Sequence, residues 1–192
     1  LVILGIRDQN TFPLIFYREN CADMALSEAD ISIDFISRAN CVCATGTHLS
    51  NPKVEKATLK AIQIGRSLGK KTALDIDYRP NLWGLSGHDD GENRYIKSEM
   101  VTENLQKNLF LFDLIVGTEE EFHIAGGSTN TIEALQNVRS QTSATLVCKR
   151  GSYGASLFED DIKGSLAAGV QGRKFSIEVF NVLGAGDGFM AG

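Results

Sequence analysis

The sequence lacks the features that mark membrane proteins and nucleic-acid-binding proteins. It has no apolar run that approaches the roughly 18–20 residues needed to span a bilayer. Its 19 basic residues are outnumbered by 24 acidic ones and form no cluster longer than a pair, so a nucleic-acid partner is not expected. With 192 residues and 43% hydrophobic content, the chain can bury a core of single-domain size. These properties indicate a soluble globular domain.

Cysteine is also scarce. The spacings of the four cysteines fit neither a structural zinc module nor a small disulfide framework; they are Cys21, Cys41, Cys43 and Cys148. We therefore expect reduced thiols in a cytoplasmic protein. Cys41 and Cys43 are interpreted as packing residues of a strand rather than as metal ligands.

Strand and helix patterns alternate along most of the chain. Two β-prone runs, at residues 1–6 and 12–18, flank a polar turn at 7–10 and predict a hairpin. Further strand patterns lie near residues 39–46, 71–76, 114–116 and 145–148. Helix patterns between and after them lie near residues 52–68, 98–108 and 131–140. This alternation predicts an α/β fold with a largely parallel sheet covered by helices, in which ligands bind beyond the carboxyl ends of the strands.

The first of these helices has well-marked boundaries. Asn51 and Pro52 are typical of a helix N-cap and first turn, and Gly69 is a natural stop. The residues expected to form its buried stripe are Val54, Ala57, Ala61, Ile64 and Leu68.

A glycine-rich motif near residue 185 is the strongest indication of function in the sequence. Gly184-Ala185-Gly186-Asp187 predicts a turn of small residues followed by an acidic residue in the first turn of a helix. Such a turn lets a phosphate approach the backbone, and N–H groups at a helix N-terminus can hold an anion. A tight turn with Asp187 as a helix cap explains the spacing equally well. The dinucleotide fingerprint and the P-loop pattern are both absent.

Residues 181–192 resemble the C-terminal signature of the PfkB family of carbohydrate kinases, Asp-Thr-x-Gly-Ala-Gly-Asp, with Asn181 and Val182 in its first two places. The resemblance extends over most of the chain and implies a ribokinase-like, three-layer α/β/α core with a β-lid. It implies that Asp187 is the general base for a sugar hydroxyl and that the anion hole consists of Gly184, Ala185 and Gly186. ATP and Mg²⁺ are the implied cofactors. The departures at positions 181 and 182 affect the handling of the metal.

The same resemblance divides the chain into two parts. Residues 1–20 correspond to the last strands of the lid, and residues 21–192 to a core that is incomplete at its C-terminus. We expect both ends of the chain to lie inside a longer protein, and the 192 residues alone to be inactive. A homodimer formed through the lid is a further expectation.

Two segments at strand ends resemble other motifs of the family. Residues 75–83 are similar to the Asp-x-Asn-x-Arg segment of ketodeoxygluconate-type kinases, which implies that Arg79 reaches phosphate or substrate oxygens. Residues 118–121 take the place of the Asn-x-x-Glu motif, which implies that Glu121 helps to organise Mg²⁺ through water. From the residues alone, Arg79 is an ordinary ion-pair residue, and the three glutamates are a favourable acidic first turn of a helix.

Nucleotide and substrate contacts are implied at other positions. Gly151 and Gly154 match a segment that borders the nucleotide in the family, and Gly184 and Gly186 are also implied to contact the nucleotide. A simple β-turn is the alternative explanation of residues 151–154. Arg18 matches an arginine that binds the substrate carboxylate, and its alternative is an ion pair with Glu19 or Asp23. His48 and His123 are assigned no catalytic role.

Residues 13–26, 46–48, 77–83 and 117–127 together resemble the 5-dehydro-2-deoxygluconokinases of inositol catabolism more than they resemble ribokinases or fructokinases. The implied reaction is ATP-dependent phosphorylation of a primary hydroxyl of 5-dehydro-2-deoxy-D-gluconate. A 2-keto-3-deoxygluconate kinase or another PfkB sugar kinase is the alternative within the class. A nucleotide- or sugar-binding protein without catalysis is the alternative outside it, because the sequence departs from the family motifs at Thr118, Asn181 and Val182.

Overall fold

The structure is a computed structural model that describes residues 2–7, 13–18, 20–87 and 95–192. Its first element is a two-stranded antiparallel sheet of β1 (Val2–Leu4) and β2 (Leu14–Phe16), in which Val2 pairs with Phe16. This pairing confirms the predicted hairpin. Residues 8–10 of the predicted turn lie outside the described residues.

The remaining strands form one six-stranded sheet. They are β3 (Cys41–Thr45), β4 (Lys71–Asp75), β5 (Leu114–Thr118), β6 (Thr145–Lys149), β7 (Ala155–Phe158) and β8 (Val170–Gly172). They lie side by side in chain order. Strands β3 to β6 pair in parallel, and β7 and β8 continue the sheet antiparallel. The prediction of a largely parallel sheet is confirmed, and the carboxyl ends of β3 to β6 share one edge.

The helices are α1 (Ile33–Ser37), α2 (Pro52–Ser67), α3 (Glu99–Gln106), α4 (Glu119–Gly126), α5 (Thr131–Arg139) and α6 (Ala185–Ala191). Helices α2 to α5 cover one face of the sheet, where Leu74, Ile115 and Leu146 are fully buried. On the opposite face, a smaller cluster of Val116, Val147 and Ala155 is contacted by Met190 of α6. Among the described residues, no helix is long and apolar enough to cross a membrane.

Helix α2 begins and ends where the sequence predicts. The Asn51 side chain accepts hydrogen bonds from the N–H groups of Lys53 and Val54, and Gly69 just beyond the helix has a φ of +68°, which favours glycine.

The predicted stripe of α2 is partly wrong. Val54 and Ala57 are buried, but Thr58, Ile62 and Gly65 complete the buried set, while Leu68 is 40% exposed. The helix turns Gly65 toward β3, where an added Cβ would lie 2.7 Å from a methyl carbon of Val42. Close packing against the strand therefore requires a glycine at position 65. The prediction missed it because it considered only apolar side chains.

The interpretation of Cys41 and Cys43 as packing residues is also wrong. Both thiols are exposed, whereas Cys148 is buried in the core, and all four cysteines are free. Residues two apart in a strand share a face, so Cys41 and Cys43 point the same way. They are exposed because β3 is the outer strand of the sheet in the described part of the chain and this face of it is uncovered.

The contact between α4 and α5 generates a stability prediction. A Cβ added at Gly126 would lie 2.2 Å from the backbone oxygen of Ala134, and the Asn137 amide already donates to the Gly126 carbonyl across this contact at 2.8 Å. We expect Gly126→Ala to lower the free energy of unfolding by about 1–3 kcal/mol, measured by urea denaturation, because the two helices must move apart.

Gly188→Ala is the matched control. Gly188 is also helical, but an added Cβ there meets no atom within 4 Å, so its substitution should leave stability unchanged or raise it by up to about 1 kcal/mol. Equal effects at the two glycines would contradict the packing argument.

Candidate active site

A cleft of about 1360 Å³ lies at the carboxyl edge of the parallel strands. Every predicted site residue lines this cleft, namely Arg18, Arg79, Glu121, Gly151, Gly154, Gly184, Ala185, Gly186 and Asp187. The fold therefore brings together residues that are up to 169 positions apart, since Arg18 and Asp187 face the same space (187 − 18). Their individual roles stay predictions.

A buried charged cluster of Asp75, Glu121 and Lys149 lies in the wall of the cleft. Asp75 is the last residue of β4, Lys149 is the last residue of β6, and Glu121 lies in the first turn of α4, directly after β5. The Lys149 ammonium donates to Asp75 Oδ1 at 3.2 Å and lies 4.0 Å from Glu121 Oε2. The exposed fractions of the side chains are only 14%, 8% and 10% for Lys149, Asp75 and Glu121.

Burial governs the protonation of this charged cluster. It raises the pKa of the Asp75 carboxyl and that of the Glu121 carboxyl, because a charged group loses hydration in a low-dielectric environment. In both cases the nearby charge of Lys149 is the largest opposing influence and lowers the pKa. One ammonium thus keeps two buried carboxyl groups closer to their ionised forms.

Local hydrogen bonds fix the orientation of Glu121. Its N–H donates to Thr118 Oγ1 at 3.2 Å, and its Oε2 accepts from the Thr118 N–H at 2.7 Å, which is a capping box. Its other oxygen, Oε1, lies 3.6 Å from Arg79 Nη1. Glu121 therefore does stabilise the first turn of α4, as the alternative to a role with Mg²⁺ proposed. The same hydrogen bonds also hold its carboxyl at the cleft.

Arg79 makes the contacts of an ion-pair residue while it lines the cleft. Its Nη2 lies 2.7 Å from Asp77 Oδ1, and its Nη1 donates to the Tyr78 carbonyl at 2.9 Å. Asp77 has a φ of +36°, in the left-handed region that non-glycine residues seldom adopt. Asp77 lies two residues after the end of β4, so this unusual backbone conformation occurs next to the charged cluster.

Arg18 forms an ion pair with Asp23, one of the two alternatives that its position suggested. The other, Glu19, lies outside the described residues. His48 Nε2 is 3.8 Å from the same Asp23 carboxyl, and burial followed by the charge of Arg18 lowers the pKa of His48. The Arg18 Nε is buried and has no hydrogen-bond partner within the described segments. One donor of this guanidinium is therefore unused in the ion pair.

The glycine-rich motif at residues 184–187 forms a turn that leads into α6. Gly184 is the residue before the helix, with a φ of +75°, and Asp187 is an exposed residue in the first helical turn. Gly184, and not Asp187, is therefore the N-cap residue of α6. A Cβ added at Gly186 would lie 3.5 Å from Lys149 Nζ, so the turn and the charged cluster are neighbours.

Gly151 and Gly154 lie in the tight connection between β6 and β7. Gly154 has a φ of +85°, and a Cβ there would lie 2.6 Å from the Gly172 carbonyl oxygen. The Arg150 N–H donates to the Gly154 carbonyl at 2.8 Å. The geometry of the turn is sufficient to explain why residue 154 is a glycine. The prediction that Gly151 and Gly154 bind the nucleotide is supported only by their position in the cleft.

Sequence reasoning missed Lys149 and Asp75, although Asp75 begins a segment that it singled out and Lys149 directly follows a predicted strand. The available signal was a charged residue at the last position of an apolar strand, which occurs at both sites. His123, assigned no catalytic role, makes a 2.9 Å hydrogen bond with Thr131 Oγ1.

A model of the pfkB family of carbohydrate kinases matches residues 3–192, almost the whole chain. The chain belongs to this family. It is 25% identical over 185 residues to a 5-dehydro-2-deoxygluconokinase of Bacillus licheniformis, a match that covers 92% of the chain and 50% of that protein. It is 26% identical over 193 residues to one of Listeria monocytogenes, covering 98% of the chain and 54% of the relative. The chain thus spans about half the length of the curated relatives it matches.

A solved structure with the same fold is an Escherichia coli protein described as a ribokinase II, in complex with ATP and Mg²⁺. The TM-score is 0.74 at 19% sequence identity, and the match covers 98% of the chain and 54% of that protein. At this identity the likeness concerns the fold alone, and it confirms the predicted ribokinase-like α/β architecture of this PfkB member.

The charged cluster generates a second stability prediction. We expect Lys149→Met to lower the free energy of unfolding at pH 7 by about 3 kcal/mol, because two buried carboxylates lose their main counter-charge. The double variant Lys149→Met/Asp75→Asn should lose less than half of that, since one of the two carboxylates is then neutral. Urea denaturation measures both values. A loss in the double variant as large as that in Lys149→Met would show that Lys149 and Asp75 are not coupled.

Proposed function

We propose that the protein containing this chain transfers the γ-phosphoryl group of ATP to a primary hydroxyl of a sugar acid, 5-dehydro-2-deoxy-D-gluconate. Family membership supports the carbohydrate kinase class, and the named relatives support this substrate. The observation that carries the proposal is the single cleft in which a carboxylate, two arginines and a lysine converge, namely Asp187, Arg18, Arg79 and Lys149.

Asp187 is the proposed general base. Its carboxylate is exposed to the cleft and free to accept a hydrogen bond from a sugar hydroxyl, and it lies one residue after the glycine turn. In phosphoryl transfer a base orients and deprotonates the attacking hydroxyl, while positioning and charge stabilisation supply most of the acceleration. The proposed role of Gly184, Ala185 and Gly186 is to let phosphate oxygens approach the backbone.

The residues present fit ATP and Mg²⁺, which supply the phosphoryl group and neutralise its charge when bound. A Cβ added at Gly184 or Gly151 meets no atom within 4 Å, so the cleft is open at these two of the four proposed nucleotide contacts. No group of three or more His, Cys, Asp or Glu in the described segments could hold a metal by itself. Mg²⁺ characteristically binds phosphates and water with few protein ligands, so Glu121 would contact it through water.

The proposed acid substrate is supported by Arg18. Its buried Nε has no hydrogen-bond partner among the described residues, although Asp23 already pairs with the guanidinium. A carboxylate can use such a donor with a stronger, charge-assisted hydrogen bond than a neutral sugar can make. A second cation of the cleft, Arg79, is proposed to contact phosphate or substrate oxygens.

The wider biology follows from the same proposal. Residues 1–20 would form part of a lid, and the small β1–β2 sheet is separate from the main sheet as a lid requires. A homodimer through this lid, a cytoplasmic location suited to four free thiols, and a place in inositol catabolism complete the proposal. The competing substrate is 2-keto-3-deoxygluconate or another PfkB sugar. A substrate panel on the intact protein separates these possibilities, and binding without any transfer would select a non-catalytic protein.

Substitution of the proposed base should affect turnover rather than binding. We expect Asp187→Asn in the intact protein to lower kcat by about 10²–10⁴-fold, with little change in sugar affinity, because a general base is lost. The control is Asp160→Asn, since Asp160 is exposed and outside the cleft. Coupled-assay kinetics and sugar titration provide the two readouts. Normal turnover in the Asp187 variant would refute the assignment of the base.

Substitution of Arg18 should affect the acid substrate selectively. We expect Arg18→Ala to raise KM for 5-dehydro-2-deoxygluconate by at least about tenfold while KM for ATP changes little, because a charge-assisted bond to the carboxylate is lost. Arg38→Ala is the control, since its side chain is 72% exposed and pairs with Asp34 outside the cleft. Equal KM values for the acid sugar in the Arg18 variant and the parent would show that Arg18 serves only its ion pair with Asp23.

A further inference from the structure

Lys149 is a charged residue of the cleft to which the proposed function assigns no individual role. Its side chain is 14% exposed, yet it lines the cleft with Asp187 and the glycine turn. An ammonium carries three N–H donors. Within the described part of the chain, Lys149 makes one hydrogen bond, to Asp75, and Glu121 at 4.0 Å lies beyond hydrogen-bond distance. A nearly buried cation therefore retains donors that the described residues do not use.

Its position relates this cation to the reacting groups. The 3.5 Å distance from Lys149 Nζ to the position of a Cβ on Gly186 places the ammonium beside the residue that precedes Asp187. Arg79, another cation that lines the cleft, is engaged by Asp77 at 2.7 Å and by the Tyr78 carbonyl at 2.9 Å. Lys149 is therefore better placed than Arg79 to meet an anion at the glycine turn.

We propose that Lys149 binds the phosphoryl group during its transfer and that Asp75 is the positioning residue that holds the ammonium in place. This inference rests on the proposed kinase function. Negative charge on the phosphoryl oxygens would be met by a cation that is already largely desolvated and is held by its hydrogen bond to Asp75, so little reorganisation is needed at the moment of transfer. A compact ammonium with three donors suits one tetrahedral phosphoryl group.

A purely structural Lys149 is the competing explanation, because its charge also compensates Asp75 and Glu121. The two roles separate in a pair of variants of the intact protein, Asp75→Asn and Asp75→Asn/Lys149→Met. The second variant removes the cation together with the carboxylate to which it is hydrogen-bonded, which limits the loss of stability. If Lys149 only neutralises Asp75, both variants should have similar turnover.

The proposal predicts a large difference between them. We expect kcat of the double variant to be about 10²–10³-fold below that of Asp75→Asn, the range found when one donor to a developing charge is removed, with KM for the sugar little changed. Thermal denaturation of both variants under assay conditions confirms that each is folded. Equal kcat values in the two variants would overturn the proposal.

A second measurement does not depend on turnover. Calorimetric titration with the β,γ-imido analogue of ATP and with ADP, each with Mg²⁺, compares ligands that differ in the terminal phosphoryl group. We expect the preference of Asp75→Asn for the ATP analogue over ADP to fall about tenfold or more in the double variant, because a charge-assisted contact to that group is lost. An unchanged preference would overturn the proposal even if kcat falls.

These readouts also separate this inference from the proposed function. If the parent binds both nucleotides but phosphorylates no sugar, the kinase proposal fails, and the change in nucleotide preference alone decides whether Lys149 binds the terminal phosphoryl group. If the parent binds neither nucleotide, both proposals fail.

Discussion

The ammonium of Lys149 between the carboxylates of Asp75 and Glu121 is the interaction on which the site depends. Each of these groups would be costly to bury by itself, and they are tolerated because they compensate one another. They lie at the ends of β4 and β6 and at the start of α4. The pairing therefore ties together three consecutive strand-to-helix or strand-to-strand junctions, and the cleft that Asp187 and Arg18 line is built against it.

Much of the fold was predictable because its hydrophobic pattern is regular. Short apolar strands and helices with caps at Asn51 and Gly69 leave few alternatives to a parallel sheet with helical crossovers. The strands and helices that were predicted are present in the structure, and the errors concern which of their residues are buried against other parts of the structure. Periodicity shows which residues share a face but not which face is covered, so Gly65 was overlooked and the exposed Cys41 and Cys43 were assigned to packing.

The site was predictable in part for a related reason. Carboxyl ends of parallel strands meet at one edge, so motifs identified separately, such as those of Arg79 after β4 and Glu121 after β5, line the same cleft. The pairing of charges could not be derived in this way. The hydrogen bond between Lys149 and Asp75 joins residues 74 positions apart and depends on the register of two intervening strand pairings. The contact between Arg18 and Asp23 likewise depends on how the chain turns after β2.

The order of strands in the sheet has a consequence for how the protein folds. Each parallel pairing joins distant parts of the chain, as when Cys41 pairs with Lys71 and Leu114 with Thr145, so a long loop must close before any contact rewards it. Sheets of this kind fold slowly compared with helical bundles. Because the cleft is assembled from the ends of several such crossovers, it is complete only when all of these long-range pairings have formed.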